Sequence, residues 1–123
     1  MVKLDHLAIF VSDEKRSRDW YVSHFGFREE FQVPERNTIA LQDDAGLTLF
    51  VVKDPRLSQH PSCGLTFQVA DVESTHRELS ARGVPFEKSP QKLDWGYGAE
   101  LRDPDGYPIY LWDQESMRAK GGS

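Results

Sequence analysis

The same succession of structural signals occurs twice along this chain. In each half, a β-rich alternating segment is followed by an aspartate, a stretch with helical periodicity, a glycine, and strand-like segments separated by turn residues. The halves also align residue by residue, since Leu41–Phe50 falls on Leu101–Tyr110 with an Asp-x-x-Gly turn at the same position in both. A β-α-β-β-β unit that occurs twice predicts two similar modules.

The first half contains a strand, a helix and three further strands. Leu4–Val11 is the predicted first strand, and Asp13 is the predicted N-cap of a helix that ends at Gly26. The residues that recur on one face of this helix are Ser17, Trp20, Tyr21 and His24. The strands predicted after it lie around Phe27–Val33, Thr38–Gln42 and Leu47–Lys53, with turn residues between them.

The second half repeats this order. Leu65–Ala70 is a predicted strand, Asp71 is the matching N-cap, and Gly83 follows the helix where a left-handed residue is favoured. The helix face is marked by Val72, Thr75, His76 and Leu79. The remaining predicted strands lie near Val84–Glu87, Tyr97–Arg102 and Tyr107–Trp112.

The predicted fold class is α+β. Each unit covers one face of its sheet with its helix and leaves the other face bare. We therefore expect two pseudo-symmetric βαβββ modules whose curved mixed sheets enclose a shared cavity. The predicted organisation is a single domain over 1–120, with module one at about 3–53, a linker at 54–62, module two at about 63–113, and a flexible tail at 121–123.

Composition narrows the classes of partner and the location. Fifteen Lys and Arg residues against twenty Asp and Glu give a net charge of −5, with the two signs interleaved. Because no basic stripe exists, we expect no nucleic-acid partner and no membrane partner. The single cysteine permits no internal disulfide, and the apolar runs are too short for a transmembrane helix. These features favour a cytoplasmic protein.

Several motifs together resemble those of a known superfamily. They are Leu4–Asp13 with its His6, Trp20-Tyr21 followed by Gly26-Phe27, and the turn at Arg102–Tyr107. In this order and spacing they resemble the vicinal oxygen chelate superfamily, which contains glyoxalases, bleomycin-resistance proteins and extradiol dioxygenases. The resemblance covers roughly residues 3 to 113, nearly the whole chain.

The resemblance also implies where a metal ion would bind. Metal-dependent members take their ligands from the first and last strands of each module, and the similar positions here are His6, Phe50, Gly64 and Tyr110. Only His6 ligates a divalent metal well, because Phe50 and Gly64 offer no ligand atom and a tyrosine has a pKa of about 10. We therefore expect no cofactor. A divalent metal stays open as an alternative, with the weak candidate ligands His6, His60 and Glu100.

The cavity face is predicted to be aromatic. If His6 faces the cavity, strand alternation and the resemblance place the fourth and eighth strands' aromatic residues on the same face. Trp95-Gly96 also resembles a segment that borders the ligand cleft in drug-binding members. The predicted ligand-binding residues are His6, Phe50, Trp95, Glu100, Tyr110 and Trp112, and no catalytic residue is predicted. The acidic net charge favours a cationic ligand, with Glu100 or Asp94 as its partner.

Three functions remain open at this point. The favoured interpretation is a small-molecule-binding protein of the bleomycin-resistance type, which acts by sequestration without catalysis and, as in related proteins, forms a homodimer. The alternative is a divalent-metal-dependent glyoxalase-like, dioxygenase-like or thiol-transferase-like enzyme that uses His6 with non-standard ligands. The third is a partner-binding or regulatory module, for which a large exposed apolar patch would be the sign.

Overall fold

The protein folds into two compact units with the same architecture. The structure, a computed structural model, describes residues 2–122. The boundary between the units falls between Pro61 and Ser62, inside the predicted linker. Each unit has an open, four-stranded mixed sheet, and together the units carry three helices. The α+β class and the pair of similar modules are therefore confirmed.

The first unit follows the predicted order. Its elements are β1 (Leu7–Val11), α1 (Glu14–Phe25), β2 (Arg28–Val33), β3 (Thr38–Gln42) and β4 (Thr48–Lys53), with short 3₁₀ turns at Pro34–Arg36 and Leu57–Gln59. The sheet order is β1-β4-β3-β2, where β1 and β4 are parallel and the other pairs are antiparallel. The crossover that carries α1 is what allows β1 to run parallel to β4.

Local signals explain why α1 forms where it does. The Asp13 side chain accepts the backbone N–H groups of Lys15 and Arg16, at 3.0 and 3.2 Å, which satisfies donors that the first turn leaves open. The helix ends at Gly26, whose φ of 69° is left-handed. The sheet residues buried on the helix-covered side of this unit are Ile9, Val11, Ile39, Leu41, Leu49 and Val51. Residues at the alternate positions, such as Ala8 and Phe50, point to the opposite, open face.

The second unit repeats the first and adds a helix. Its elements are β5 (Leu65–Gln68), α2 (Val72–Ala81), β6 (Phe86–Leu93), β7 (Gly96–Arg102), β8 (Pro108–Trp112) and α3 (Gln114–Lys120). The sheet order is β5-β8-β7-β6, with β5 parallel to β8. Across residues 2–122, no helix has the length and apolar character needed to span a membrane.

The two units also share a hydrogen bond in the turn before their fourth strand. Before β4, the Asp43 carboxylate accepts the backbone N–H of Leu47 at 2.8 Å. Before β8, the Asp103 carboxylate accepts the backbone N–H of Tyr107 at 2.9 Å. These turns set matching registers, so Phe50 and Tyr110 occupy equivalent positions next to the parallel edge strand. The alignment of Leu41–Phe50 with Leu101–Tyr110 therefore also holds in the structure.

Three elements differ from the predictions. The first strand begins at Leu7, because its pairing with β4 starts there, so His6 precedes the strand. β6 is longer than predicted. Its polar residues and Pro90 lack a strand pattern, so the sequence did not indicate its full length. β6 is an edge strand, and an edge strand tolerates polar residues and proline. α3 was not predicted, and Gly121, assigned to the tail, is its C-cap.

Candidate functional site

The open face of the first unit carries an aromatic stack. The ring of His6 lies on the ring of Phe50, with centroids 3.8 Å apart and planes inclined by 13°. Phe31 packs edge-on against Phe50 at 5.7 Å. The His6 Nδ1 atom lies 2.9 Å from the Asp5 carboxylate, which fixes the proton on Nδ1 and leaves Nε2 as an acceptor when the imidazole is neutral. The ring of His6 is thus held in one orientation.

Beside this stack lies a recess of about 360 Å³, which we call the first recess. Its walls are mainly apolar, and two of its side chains bear nitrogen groups. Its lining residues are His6, Ala8, Val33, Arg36, Thr38, Phe50 and Val52. The recess therefore combines an aromatic wall with a guanidinium group, which suits an organic ligand held by stacking and a few directed polar contacts.

The open face of the second unit is built around Trp95. The Trp95 indole N–H donates to the Glu100 carboxylate at 2.8 Å, and the indole ring meets Tyr110 edge-on at 5.9 Å. The ring also covers Gly98 so closely that a methyl group there would overlap it. Although 38% of Trp95 is exposed, three neighbours fix its position.

A second recess, of about 370 Å³, opens beside this tryptophan and is lined by Thr66, Trp95 and Tyr110. The strand register explains the grouping, because Tyr110 lies opposite Thr66 on one side and opposite Glu100 on the other. The cluster is therefore set by the β5-β8-β7 pairing, and only Trp95 comes from the loop before β7.

Helix α3 supports the loop that carries Trp95. Its Met117 packs on Gly96, and the Met117 sulfur accepts the backbone N–H of Tyr97 at 3.4 Å. A side chain at position 96 would overlap Met117, and the φ of 137° at Gly96 is also unfavourable for other residues. The conformation next to Trp95 thus depends on a glycine and on the last helix.

The remaining predicted site residues are placed differently. Glu100 lies on the open face, where its carboxylate accepts the Trp95 indole N–H and lies 3.8 Å from the Lys88 ammonium. Trp112 is half-buried, on the same face as Tyr110, and lines neither recess. His60 is exposed and ends the short 3₁₀ turn at Leu57–Gln59.

The residues at the superfamily's metal positions do not fit a metal ion. One side of the only imidazole at these positions, that of His6, is covered by Phe50. Gly64 offers no ligand atom, and a Cβ atom there would lie 2.7 Å from the Tyr110 ring, so a ligating side chain at this position would have to displace that ring. Among the described residues, no three His, Cys, Asp or Glu side chains are grouped as metal ligands.

Some residues of the site were not found from the sequence. Arg36 and Thr38 line the first recess, but Arg36 was assigned only to a turn and Thr38 only to a strand. Strand alternation backwards from Ala40 would have placed Thr38 on the open face. Asp113 followed by Gln114 and Glu115 was a usable signal for the start of α3.

Sequence comparison identifies the superfamily. A sequence model of the Glyoxalase/Bleomycin resistance protein/Dioxygenase superfamily matches residues 3–111. The chain therefore belongs to this superfamily, as the motifs around His6, Trp20-Tyr21 and Arg102–Tyr107 suggested.

Individual relatives span nearly the whole chain. The uncharacterized protein YwkD of Bacillus subtilis (strain 168) is 29% identical over 125 aligned residues, which cover 90% of this chain and 96% of YwkD. Among solved structures, TnmS3, an antibiotic binding protein from Streptomyces sp. CB03234, has a TM-score of 0.77 and 27% identity, with 91% of this chain and 96% of TnmS3 covered. A lactoylglutathione lyase from Agrobacterium tumefaciens has a TM-score of 0.71 and 18% identity, with 92% of this chain and 94% of the lyase chain covered. At this identity the likeness shows a common fold and nothing further.

Proposed function

We propose that the protein binds a flat aromatic small molecule and sequesters it without converting it. The observation that carries this proposal is the state of Trp95, which is exposed to the second recess yet fixed by Glu100, Tyr110 and Gly98. A large ring that is already immobilised loses little conformational freedom when a ligand stacks on it. Such a side chain is a ready surface for an aromatic ligand.

The polar groups of the two recesses support binding over turnover. In the first recess, the Thr38 hydroxyl donates to the Arg36 carbonyl at 2.9 Å and Asp5 holds Nδ1 of His6. In the second recess, the nearby Glu100 carboxylate already accepts the Trp95 indole N–H. The Thr38 hydroxyl, His6 Nδ1 and the Glu100 carboxylate are thus engaged in holding the recess walls, and the residues at the metal positions do not fit a metal ion. The likeness to TnmS3, an antibiotic binding protein, supports the same class of function.

The proposal is tested by titrating ¹⁵N-labelled protein with 2-naphthamide, an uncharged flat probe. We expect amide shifts around the recess residues and about tenfold weaker binding in Trp95→Ala, because stacking on a tryptophan contributes roughly 1–3 kcal/mol. The matched control is Trp20→Phe, since Trp20 packs within α1 against Tyr21 and Phe25 and lines neither recess. Unchanged binding in Trp95→Ala, or equal losses in both variants, would contradict the proposal.

The metal-enzyme alternative needs its own experiment. The protein is incubated with Mn²⁺, Fe²⁺, Ni²⁺ and Zn²⁺, dialysed exhaustively, and submitted to elemental analysis. We expect no stoichiometric ion to remain and the naphthamide probe to be recovered chemically unchanged. A retained ion that is lost in His6→Ala would instead support an enzyme that uses His6.

A further inference from the structure

The guanidinium group of Arg36 has no partner among residues 2–122, which the structure describes. Arg36 lines the first recess, and its side chain makes no hydrogen bond or ion pair with any residue in the 2–122 segment that the structure describes. Two other arginines of the same unit are paired, Arg18 with Glu29 at 2.9 Å and Arg28 with Gln42 at 2.9 Å, whereas Arg56 is exposed, also lacks a side-chain partner among the described residues and does not line the recess. A free guanidinium beside an apolar wall is a suitable partner for a carboxylate or another anionic group.

The backbone holds Arg36 in place. It is the last residue of the 3₁₀ turn at Pro34–Arg36, which is closed by the Asn37 N–H donating to the Pro34 carbonyl at 3.0 Å. The Thr38 hydroxyl donates to the Arg36 carbonyl at 2.9 Å. Asn37 is left-handed, with a φ of 49°, and its carbonyl accepts the N–H of Lys53 at 2.9 Å. The turn is thus attached to the strand that carries Phe50.

The side chains that line the recess are positive or neutral. None of its lining residues in the described part of the chain is acidic. Of the acids close to these residues, Asp5 is bonded to His6 Nδ1 and is mostly exposed, Glu30 accepts the Thr48 hydroxyl at 3.0 Å, and Glu35, which precedes Arg36 in the chain, is exposed and does not line the recess. The net charge of −5 favours a cationic ligand at long range, but salt screens exposed charges beyond about 8–10 Å. The nearby guanidinium group of Arg36 therefore determines which ligand charge the first recess favours.

We propose that the first recess binds an aromatic acid. Its ring lies against the wall formed by His6 and Phe50, and its acidic group pairs with Arg36. This inference rests on the proposed aromatic-ligand function and adds the ligand's charge, which is opposite to the sign that the composition favours.

Three probes with one ring system test the charge. They are 2-naphthoate, 2-naphthamide and 2-naphthylmethylammonium, titrated into ¹⁵N-labelled protein. We expect naphthoate to bind about fivefold more tightly than naphthamide, because an ion pair at a partly exposed site contributes up to about 1 kcal/mol. The ammonium probe is expected to bind most weakly. The naphthoate is expected to shift the amides of Arg36 and its neighbours.

Variants assign the effect to one side chain. Arg36→Gln should abolish the preference for naphthoate over naphthamide. Arg36→Lys should retain part of the preference, because it keeps the charge and loses the planar fork. The matched control is Arg56→Gln, which removes the same charge from an exposed residue of the same unit that does not line the recess. It should leave the preference intact.

The outcomes separate this inference from the proposed function. If the ammonium probe binds as tightly as naphthoate, or if Arg36→Gln keeps the preference, the aromatic-acid inference is wrong while aromatic binding stands. The same holds if naphthoate shifts only residues of the second recess. If none of the three probes shifts residues of either recess, the proposed function fails, and the inference fails with it.

Discussion

The Asp113 carboxylate accepts the backbone N–H of Val72 at 2.7 Å across 41 positions of sequence. Its other oxygen accepts the N–H of Ser116 at 2.6 Å, so a side chain that is only 2% exposed caps the first turns of both α2 and α3. Burial by itself raises the pKa of Asp113, but the hydrogen bonds from Val72 and Ser116 outweigh burial and lower it. The ionised carboxylate is thus the form that the fold stabilises.

Replacing Asp113 by Asn is expected to destabilise the protein by about 2 kcal/mol at pH 7. The two carboxylate oxygens each accept one backbone N–H, whereas an asparagine amide has only one oxygen, so one of the two N–H groups would lose its acceptor. A pKa that is lower in the folded state gives stability that is complete above the unfolded pKa and is lost as pH falls through the folded pKa. The difference between wild type and Asp113→Asn should therefore narrow below about pH 4. Urea unfolding at pH 7 and pH 3 measures both effects.

The control for this prediction is Asp71→Asn. Asp71 is also an N-cap, but it is exposed and caps α2 alone by accepting the Glu73 N–H at 3.0 Å. Because asparagine is nearly as good an exposed N-cap as aspartate, the loss should stay below about 0.5 kcal/mol. Equal losses in the two variants would show that Asp113 does not have the double role.

The packing around Gly98 leaves no room for a methyl group. A Cβ atom there would overlap the Leu111 carbonyl oxygen and the Trp95 ring, so Gly98→Ala should cost at least about 2 kcal/mol and displace Trp95. At Gly46, by comparison, nothing lies within 4 Å of the added methyl and only the φ of 91° is unfavourable. Gly46→Ala should therefore cost about 1 kcal/mol. Denaturant unfolding and tryptophan emission measure the two effects, and a Gly98→Ala variant as stable as wild type would refute the packing described around Trp95.

Glu100 is expected to act on the ligand through Trp95. Glu100→Gln keeps an oxygen that accepts the indole N–H, whereas Glu100→Leu removes it. We expect near-normal naphthamide binding in Glu100→Gln and about threefold weaker binding in Glu100→Leu, with a broadened Trp95 indole N–H resonance in the leucine variant. If both variants lose affinity equally and the indole resonance stays sharp, Glu100 contacts the ligand directly, as the sequence first suggested.

The homodimer stays a prediction that comes from the superfamily resemblance. Sedimentation velocity at micromolar concentration is expected to give a species with twice the mass of one chain. A species with the mass of a single chain, unchanged on adding naphthoate, would contradict it. The experiment is independent of the recess variants, because Arg36→Gln and Trp95→Ala change ligand affinity and leave the strands intact.

The parts of the fold that follow local rules were predictable from the sequence. Asp13 and Asp71 cap helices because their side chains satisfy nearby N–H groups, and the turns at Asp43 and Asp103 are likewise local. The open-face positions of Phe50 and Tyr110 were expected from strand alternation together with the superfamily resemblance.

The rest depended on contacts between distant parts of the chain. The bond from Trp95 to Glu100 is set by the course of the loop before β7, which no periodicity specifies. The free guanidinium of Arg36 is recognisable only once its neighbours are known. α3 is short, and its start shares Asp113 with another helix, so its stability comes from tertiary contacts that a local pattern does not reveal.

The position of α3 in the chain has a practical consequence for anyone who shortens or fuses this protein. The superfamily match ends at residue 111, before the Asp113 cap and the Met117 side chain that packs on Gly96. A truncation drawn at the end of that match would keep most of β8 yet remove the support next to Trp95. A reporter attached directly behind Lys120 would replace Gly121, where a Cβ atom would lie 2.5 Å from the Met117 sulfur, and would therefore disturb the same support.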